Sequence, residues 1–152
     1  MLHLVKGSEI GALMGRMVTC AAIYRRIVVC SPFIDEYGKE LVDRLYRATT
    51  DSDSKVQLVS TPMAVAGCEL RWPGRVGFEV IKCPGLHAKL YVAIGHRPAD
   101  HMAIVTSANL TAAGLTQNVE CGLRITGSTR MLAALVERIP VRVGLHNQMA
   151  RT

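Results

Sequence analysis

The residues able to do chemistry concentrate between Leu86 and Gly122. Leu86-His87-Ala88-Lys89-Leu90-Tyr91-Val92 places an imidazole and an ammonium two positions apart in an apolar stretch. On a strand, side chains two apart share a face. The spacing therefore predicts His87 and Lys89 on one face and Ala88 and Leu90 on the other. Burying two such groups costs free energy unless something anionic or hydrogen-bonding meets them. Thr106-Ser107-Ala108-Asn109 repeats the alternation, with Ser107 and Asn109 sharing a face. The loop between the two segments makes them antiparallel neighbours, so the four side chains can converge. Asn118-Val119-Glu120-Cys121-Gly122 brings Glu120 near the start of a further strand, where its carboxylate can accept a hydrogen bond from the imidazole.

These groups suit attack on a phosphodiester. A neutral imidazole is a competent nucleophile at pH 7, and a carboxylate on its other nitrogen fixes the tautomer. Lys89 and the Asn109 amide can donate to the nonbridging oxygens, where negative charge concentrates in the transition state. Ser107 can add a further donor. With such donors no metal is required, and the chain lacks a carboxylate cluster of the kind that holds Mg²⁺; neither a metal nor a cofactor is expected. Each residue also has a plainer reading. His87 can be a satisfied core histidine, Lys89 can snorkel from a strand edge, and Ser107 and Asn109 can stabilise a local turn. Glu120 can be a strand-edge charge. In Leu70-Arg71-Trp72-Pro73-Gly74-Arg75, Trp72 can stack a base while Arg71 and Arg75 hold phosphates; a loop tryptophan capping the core is the alternative.

Elements must position these groups. Ser8 and Glu9 open a helical pattern from Ile10 to Tyr24, with Ser8 as its cap. Arg26–Ser31 reads as a buried strand, Tyr37–Thr49 as an amphipathic helix and Lys55–Thr61 as a second strand. That order predicts a parallel pair joined by a crossover helix. Gly77–Cys83, His87–Ile94, Ala103–Ser107 and Val119–Thr126 read as further strands, with turns at Pro84-Gly85 and Gly95–Pro98. Ser128 caps a helix over Thr129–Arg138. The expected fold is α/β: one domain over residues 1–140, a mixed sheet with helices on both faces, and a basic tail over 141–152.

The chain has 152 residues, enough for one domain with a sizeable core. With 49% hydrophobic and 20% charged residues it is neither disordered nor collagen-like. No apolar stretch reaches the ~20 residues that span a bilayer, and Met1–Lys6 starts no signal sequence. A cytoplasmic location and no membrane partner are expected. The formal charge of +6 favours an anionic partner. Five cysteines without a C-x-x-C pair read as reduced thiols.

Taken together, His87-Ala88-Lys89, Thr106-Ser107-Ala108-Asn109 and Asn118-x-Glu120-x-Gly122 resemble the phospholipase D superfamily, and its nuclease branch in particular. Ser31-Pro32-Phe33-Ile34 after an apolar strand is similar to that family's first half. The family aspartate belongs between Val92 and Gly95, where no acidic residue stands; Asp100 is the nearest. The resemblance implies an α-β-α sandwich and a metal-independent phosphodiesterase, most simply an endonuclease, working through a phosphohistidine on His87. The family mechanism uses two histidines and this chain carries one H-x-K. The resemblance therefore implies a homodimer with His87 of each copy facing across the axis. Nucleic acid, with DNA ahead of RNA, is the expected partner; work beside a separately encoded helicase or restriction partner is a further reading. A phospholipid-cleaving hydrolase and a non-catalytic nucleic-acid-binding module are the competing readings.

Overall fold

The computed structural model describes residues 2–68, 70–73 and 75–127, together with Arg130, Leu132 and Ala134. Strands β1 (Leu2–Val5), β2 (Tyr24–Cys30), β3 (Lys55–Ser60), β4 (Phe78–Lys82), β5 (Leu90–Gly95), β6 (Met102–Thr106) and β7 (Gly122–Thr126) form one seven-stranded sheet. Helices α1 (Gly7–Thr19) and α2 (Glu36–Ala48) pack against it. The sheet order is β1-β7-β6-β5-β2-β3-β4. β2, β3 and β4 run parallel, and β5, β6, β7 and β1 add antiparallel pairs. The expected β2-α2-β3 crossover and the antiparallel β5–β6 pair are both present.

Alternation along the strands builds two cores. Ile27, Val29, Val56, Leu58, Tyr91 and Ile104 face α1 and α2. Val28, Cys30, Val59, Val92 and Ala103 face the other way, against Leu132. Sequence reading placed helices on both faces. Both complete helices lie on the first face, and on the second, among the described residues, the cover comes from helical residues that include Leu132. The rest of the helix expected over 129–138, and the tail, fall outside the described residues.

Several boundaries differ from the sequence reading. α1 begins at Gly7 with Lys6 as its N-cap, because the Glu9 carboxylate reaches back to accept the Lys6 backbone N–H at 2.8 Å; Ser8 lies inside the helix. The helix ends at Thr19, and a 3-10 turn over Ala21–Ile23 leads Tyr24 into β2. β1 was not anticipated. It is four residues long, and its partner β7 lies at the other end of the chain. β5 and β7 start later than the apolar runs suggest, at Leu90 and Gly122, and this matters for the site. No helix among the described residues is long and apolar enough to cross a membrane.

Candidate active site

β2 and β6 end at the same edge of the sheet where β5 and β7 begin. The register there runs Cys30–Leu90–Val105–Leu123 across four strands. One step further out, the Thr106 N–H donates to the Lys89 carbonyl at 3.1 Å, and Thr106 pairs with Gly122. The Ser107 N–H then donates to the Cys121 carbonyl at 3.0 Å. His87, Lys89, Ser107, Asn109 and Glu120 all sit on the segments that leave this rim. The sheet carries five of the eight candidate residues to one rim.

His87 and Lys89 lie in an extended lead-in rather than in β5 itself, because regular pairing on both sides begins only at Leu90. The lead-in is held from behind by the Cys30 thiol, which donates to the Ala88 carbonyl at 3.7 Å. Burial, with the Cys83 thiol adding to it, pushes the Cys30 thiol up to about 12, so it stays protonated and serves as a donor, not a nucleophile. The Lys89 ammonium donates to the His87 carbonyl at 3.3 Å. Among the described residues it meets no carboxylate, and the exposed His87 ring makes no hydrogen bond. An ammonium and an imidazole are left facing solvent with their chemistry uncommitted.

The Ser107–Ala112 loop is fixed by groups far away in sequence. The Tyr91 hydroxyl donates to the Ala108 carbonyl at 3.0 Å. Burial holds the Tyr91 phenol well above its usual range, so it remains a neutral donor. The Ser31 hydroxyl accepts the Leu110 N–H at 2.9 Å and donates to the Phe33 carbonyl at 2.8 Å. One Asp35 carboxylate oxygen caps α2 through the Gly38 N–H at 2.9 Å, and the other accepts the Ala112 N–H at 2.8 Å. Ile34 and Leu110 form a parallel bridge. Gly114 closes the loop; a Cβ there would stand 2.6 Å from the Asn109 carbonyl oxygen. The Asn109 side-chain oxygen is buried and makes no hydrogen bond among the described residues.

Sequence reasoning missed Ser31, Asp35 and Tyr91 as positioning residues. The N-cap signal of Asp35 is readable locally. Its second bond, to a residue 77 positions away, is not.

Glu120 is engaged differently from the expectation. Its carboxylate accepts hydrogen bonds from the Ser107 hydroxyl and from the Asn118 amide, the latter at 3.2 Å. Among the described residues no bond joins it to the His87 ring. Ser107 spends its one proton on Glu120 and also accepts the Cys121 N–H at 3.3 Å. Ser107 therefore orients Glu120 instead of standing as a free donor.

The structure does not join Arg71, Trp72 and Arg75 to this group. Trp72 is 2% exposed, with its indole N–H donating to Asp43 on α2, so its ring offers no surface to a base. Arg71 is tied to Asp43 at 2.7 Å and to Glu36 at 3.1 Å. The Arg75 guanidinium lies 4.4 Å over the Tyr46 ring and donates to the Tyr46 and Thr49 carbonyls. Arg75 bridges to Phe78, which pairs with Val56, so it sits at the opposite edge of the sheet from His87. The Gly95–His101 hairpin occupies that far edge too. Asp100 there pairs with Arg97 at 2.9 Å and does not stand in for the missing family aspartate.

The Asp43 contacts are a stability device. Burial pushes the Asp43 carboxyl up, but hydrogen bonds from Arg71 and Trp72 and the charge of Arg71 outweigh it, leaving the carboxyl below its usual range. A carboxyl depressed in the folded state contributes stability above its unfolded value near ~3.9, and that contribution is lost as pH falls through the folded value. Asp43→Ala leaves the buried indole N–H unpaired and is expected to cost about 1–3 kcal/mol at pH 7. In urea unfolding monitored by Trp72 fluorescence, the difference from wild type should shrink below about pH 4.

Comparison with known proteins places this geometry. A family profile described as cardiolipin synthase, PLD-like domain, matches residues 19–139. NucT from Helicobacter pylori superposes with a TM-score of 0.65 at 10% identity, over 90% of this chain and 91% of that one. Nuc from Salmonella typhimurium, a phospholipase D family member, gives a TM-score of 0.58 at 14% identity over 90% of each chain. The phosphatidylserine synthase of Haemophilus influenzae Rd KW20 gives 0.71 at 17% identity, over 93% of this chain but 37% of that longer protein. No curated protein sequence matches. At these identities the structural likeness concerns the fold.

Proposed function

The chain belongs to the phospholipase-D-like domain family, and on that premise we propose that it is a nucleic-acid phosphodiesterase that cleaves through His87. The observation that carries the reading is the uncommitted pair on the rim. Among the described residues the His87 ring and the Lys89 ammonium have no acidic partner, and Asn109 lies on a loop that leaves the same rim. A phosphodiester supplies the anionic partner that the imidazole and the ammonium lack. The His87 nitrogen forms a P–N bond to phosphorus as the P–O bond to the leaving oxygen breaks. Lys89 and the Asn109 amide donate to the nonbridging oxygens. Glu120, held by Ser107 and Asn118, keeps a negative charge at the rim to stabilise an imidazolium. The +6 charge and the two nuclease neighbours, NucT and Nuc, favour nucleic acid over lipid.

One H-x-K histidine per chain leaves the leaving oxygen without an acid. A second copy completes the site: its His87 protonates the leaving alkoxide, then takes a proton from the water that breaks the P–N bond. Labelled DNA and anionic liposomes, assayed side by side, test the substrate class; cleavage of lipid alone overturns it. Subunit mixing tests the shared site. If each site needs two His87 rings, equal amounts of wild type and His87→Ala, mixed through complete subunit exchange, retain about a quarter of the activity of wild type alone at that total concentration. About half is expected if each chain works alone.

A further inference from the structure

The chain has seven aromatic residues, and their distribution over the fold is uneven. Tyr24, Tyr91, Trp72 and Phe78 are buried in the core, and Tyr46 is packed edge-on against Phe78 under Arg75. The two exposed aromatics are Phe33, at 56%, and Tyr37, at 40%. Both lie on the segment that leaves β2 at the catalytic rim. Phe33 follows three residues after Cys30, whose thiol holds Ala88 between His87 and Lys89. Tyr37 precedes Gly38, which packs against the Leu110 carbonyl in the loop that carries Asn109. The segment is rigid: Ser31, Ile34 and Asp35 all bond or bridge to residues 110–112, and the Thr61 hydroxyl donates to the Pro32 carbonyl at 2.9 Å.

Exposing two aromatic rings on a fixed support wastes burial that the fold uses for the other five. The neighbouring carboxylates are both engaged by donors within the fold. Asp35 is occupied by two backbone N–H groups, and Glu36 is paired with Lys39 at 2.7 Å and with Arg71 at 3.1 Å.

We propose that Phe33 and Tyr37 form a stacking platform for an unpaired base next to the scissile phosphate, so that the substrate is single-stranded nucleic acid or an unpaired segment of a duplex. A base inside a duplex is already stacked on both faces and cannot reach a side-chain ring beside the phosphate. The inference rests on the nuclease reading above and specifies the form of substrate that site takes.

The test separates the two. Cleavage of labelled DNA by the wild type tests the nuclease reading. The platform is read by binding, measured by fluorescence anisotropy in His87→Ala protein so that turnover does not interfere. Three ligands are compared: a single-stranded oligonucleotide, the same sequence as a duplex, and the single strand with consecutive abasic sites. Adding Phe33→Ala and Tyr37→Ala together should weaken single-strand binding by about 5- to 150-fold per base stacked, and leave duplex and abasic binding within about twofold. Phe33→Leu with Tyr37→Leu keeps apolar surface and removes the ring faces, and should be as weak as the alanine pair. Both positions are exposed, so neither pair should lower the melting temperature. Equal losses on the abasic strand, rescue by leucine, or no loss at all overturn the platform while cleavage by the wild type stands. If the wild type neither cleaves nor binds DNA, and the alanine pair instead loses adsorption to anionic vesicles, the rings face acyl chains and both readings fall.

Discussion

His87→Ala is expected to lose at least ~10⁴-fold in turnover of labelled DNA, with EDTA present throughout, and to keep its affinity for the uncleaved strand within about threefold. The size follows from the arithmetic of a shared site. One substitution in the gene removes both imidazoles: the one that forms the P–N bond and the one that protonates the leaving oxygen. Either role alone accounts for about 10²–10⁴-fold. Affinity should survive because Lys89 and Asn109, the proposed phosphate donors, are unchanged. Folding survives because the ring is exposed and makes no hydrogen bond among the described residues, so its loss strands no buried partner. Lys89→Ala supplies the contrast, since it should weaken binding as well as turnover. Cleavage that persists in EDTA at more than a hundredth of the wild-type rate removes His87 from the role of nucleophile. A binding module without activity shows no turnover in either protein, and that outcome also ends the proposal.

The residues proposed to attack and bind a phosphate could be singled out in the sequence because they sit in three short, local patterns. Each pattern ends where a strand meets the rim, and alternation is enough to find such places. The strands between them were legible for the same reason: Ile27–Cys30 and Leu90–Ile94 are unbroken apolar runs that only a sheet covered on both faces can bury. What sequence could not give is the apparatus that fixes those patterns. Ser31, Asp35 and Tyr91 act through bonds to residues 79, 77 and 17 positions away. No local window contains both partners of such a bond. Trp72 illustrates the opposite error. Its flanking arginines suggest a nucleic-acid surface, but the same arginines are taken up by Asp43, Glu36 and two backbone carbonyls of α2 and its C-terminus. Flanking charge does not report whether a ring is buried. The exposed aromatics are Phe33 and Tyr37, which sit beside Asp35 and Glu36 and look unremarkable in the sequence.

Gly38→Ala should destabilise the protein and slow catalysis, although helix propensity points the other way. Alanine at a helical position is usually worth up to about 1 kcal/mol over glycine. Here the added Cβ would stand 2.1 Å from the Leu110 carbonyl oxygen and 3.0 Å from its carbonyl carbon, where ordinary contact starts at 3.4 Å. These are backbone atoms, so no side-chain rotation relieves the overlap. The first turn of α2 and the Ser107–Ala112 loop must separate by more than 1 Å. Overpacking of this kind costs about 1–3 kcal/mol, and the separation also stretches the Asp35 bond to Ala112. Net of propensity, a loss of about 1–2 kcal/mol is expected, lowering Tm by ~3–6 °C. The loop that moves carries Asn109, and a misplacement of about 1 Å in a positioning group can cost ~10²-fold in kcat. Gly15→Ala is the matched control, because its Cβ meets nothing within 4 Å and it lies inside α1. That variant should gain stability and keep full activity. If Gly38→Ala behaves like Gly15→Ala, the close approach of α2 to the loop does not set the geometry of the rim, and Asn109 must be held by something else.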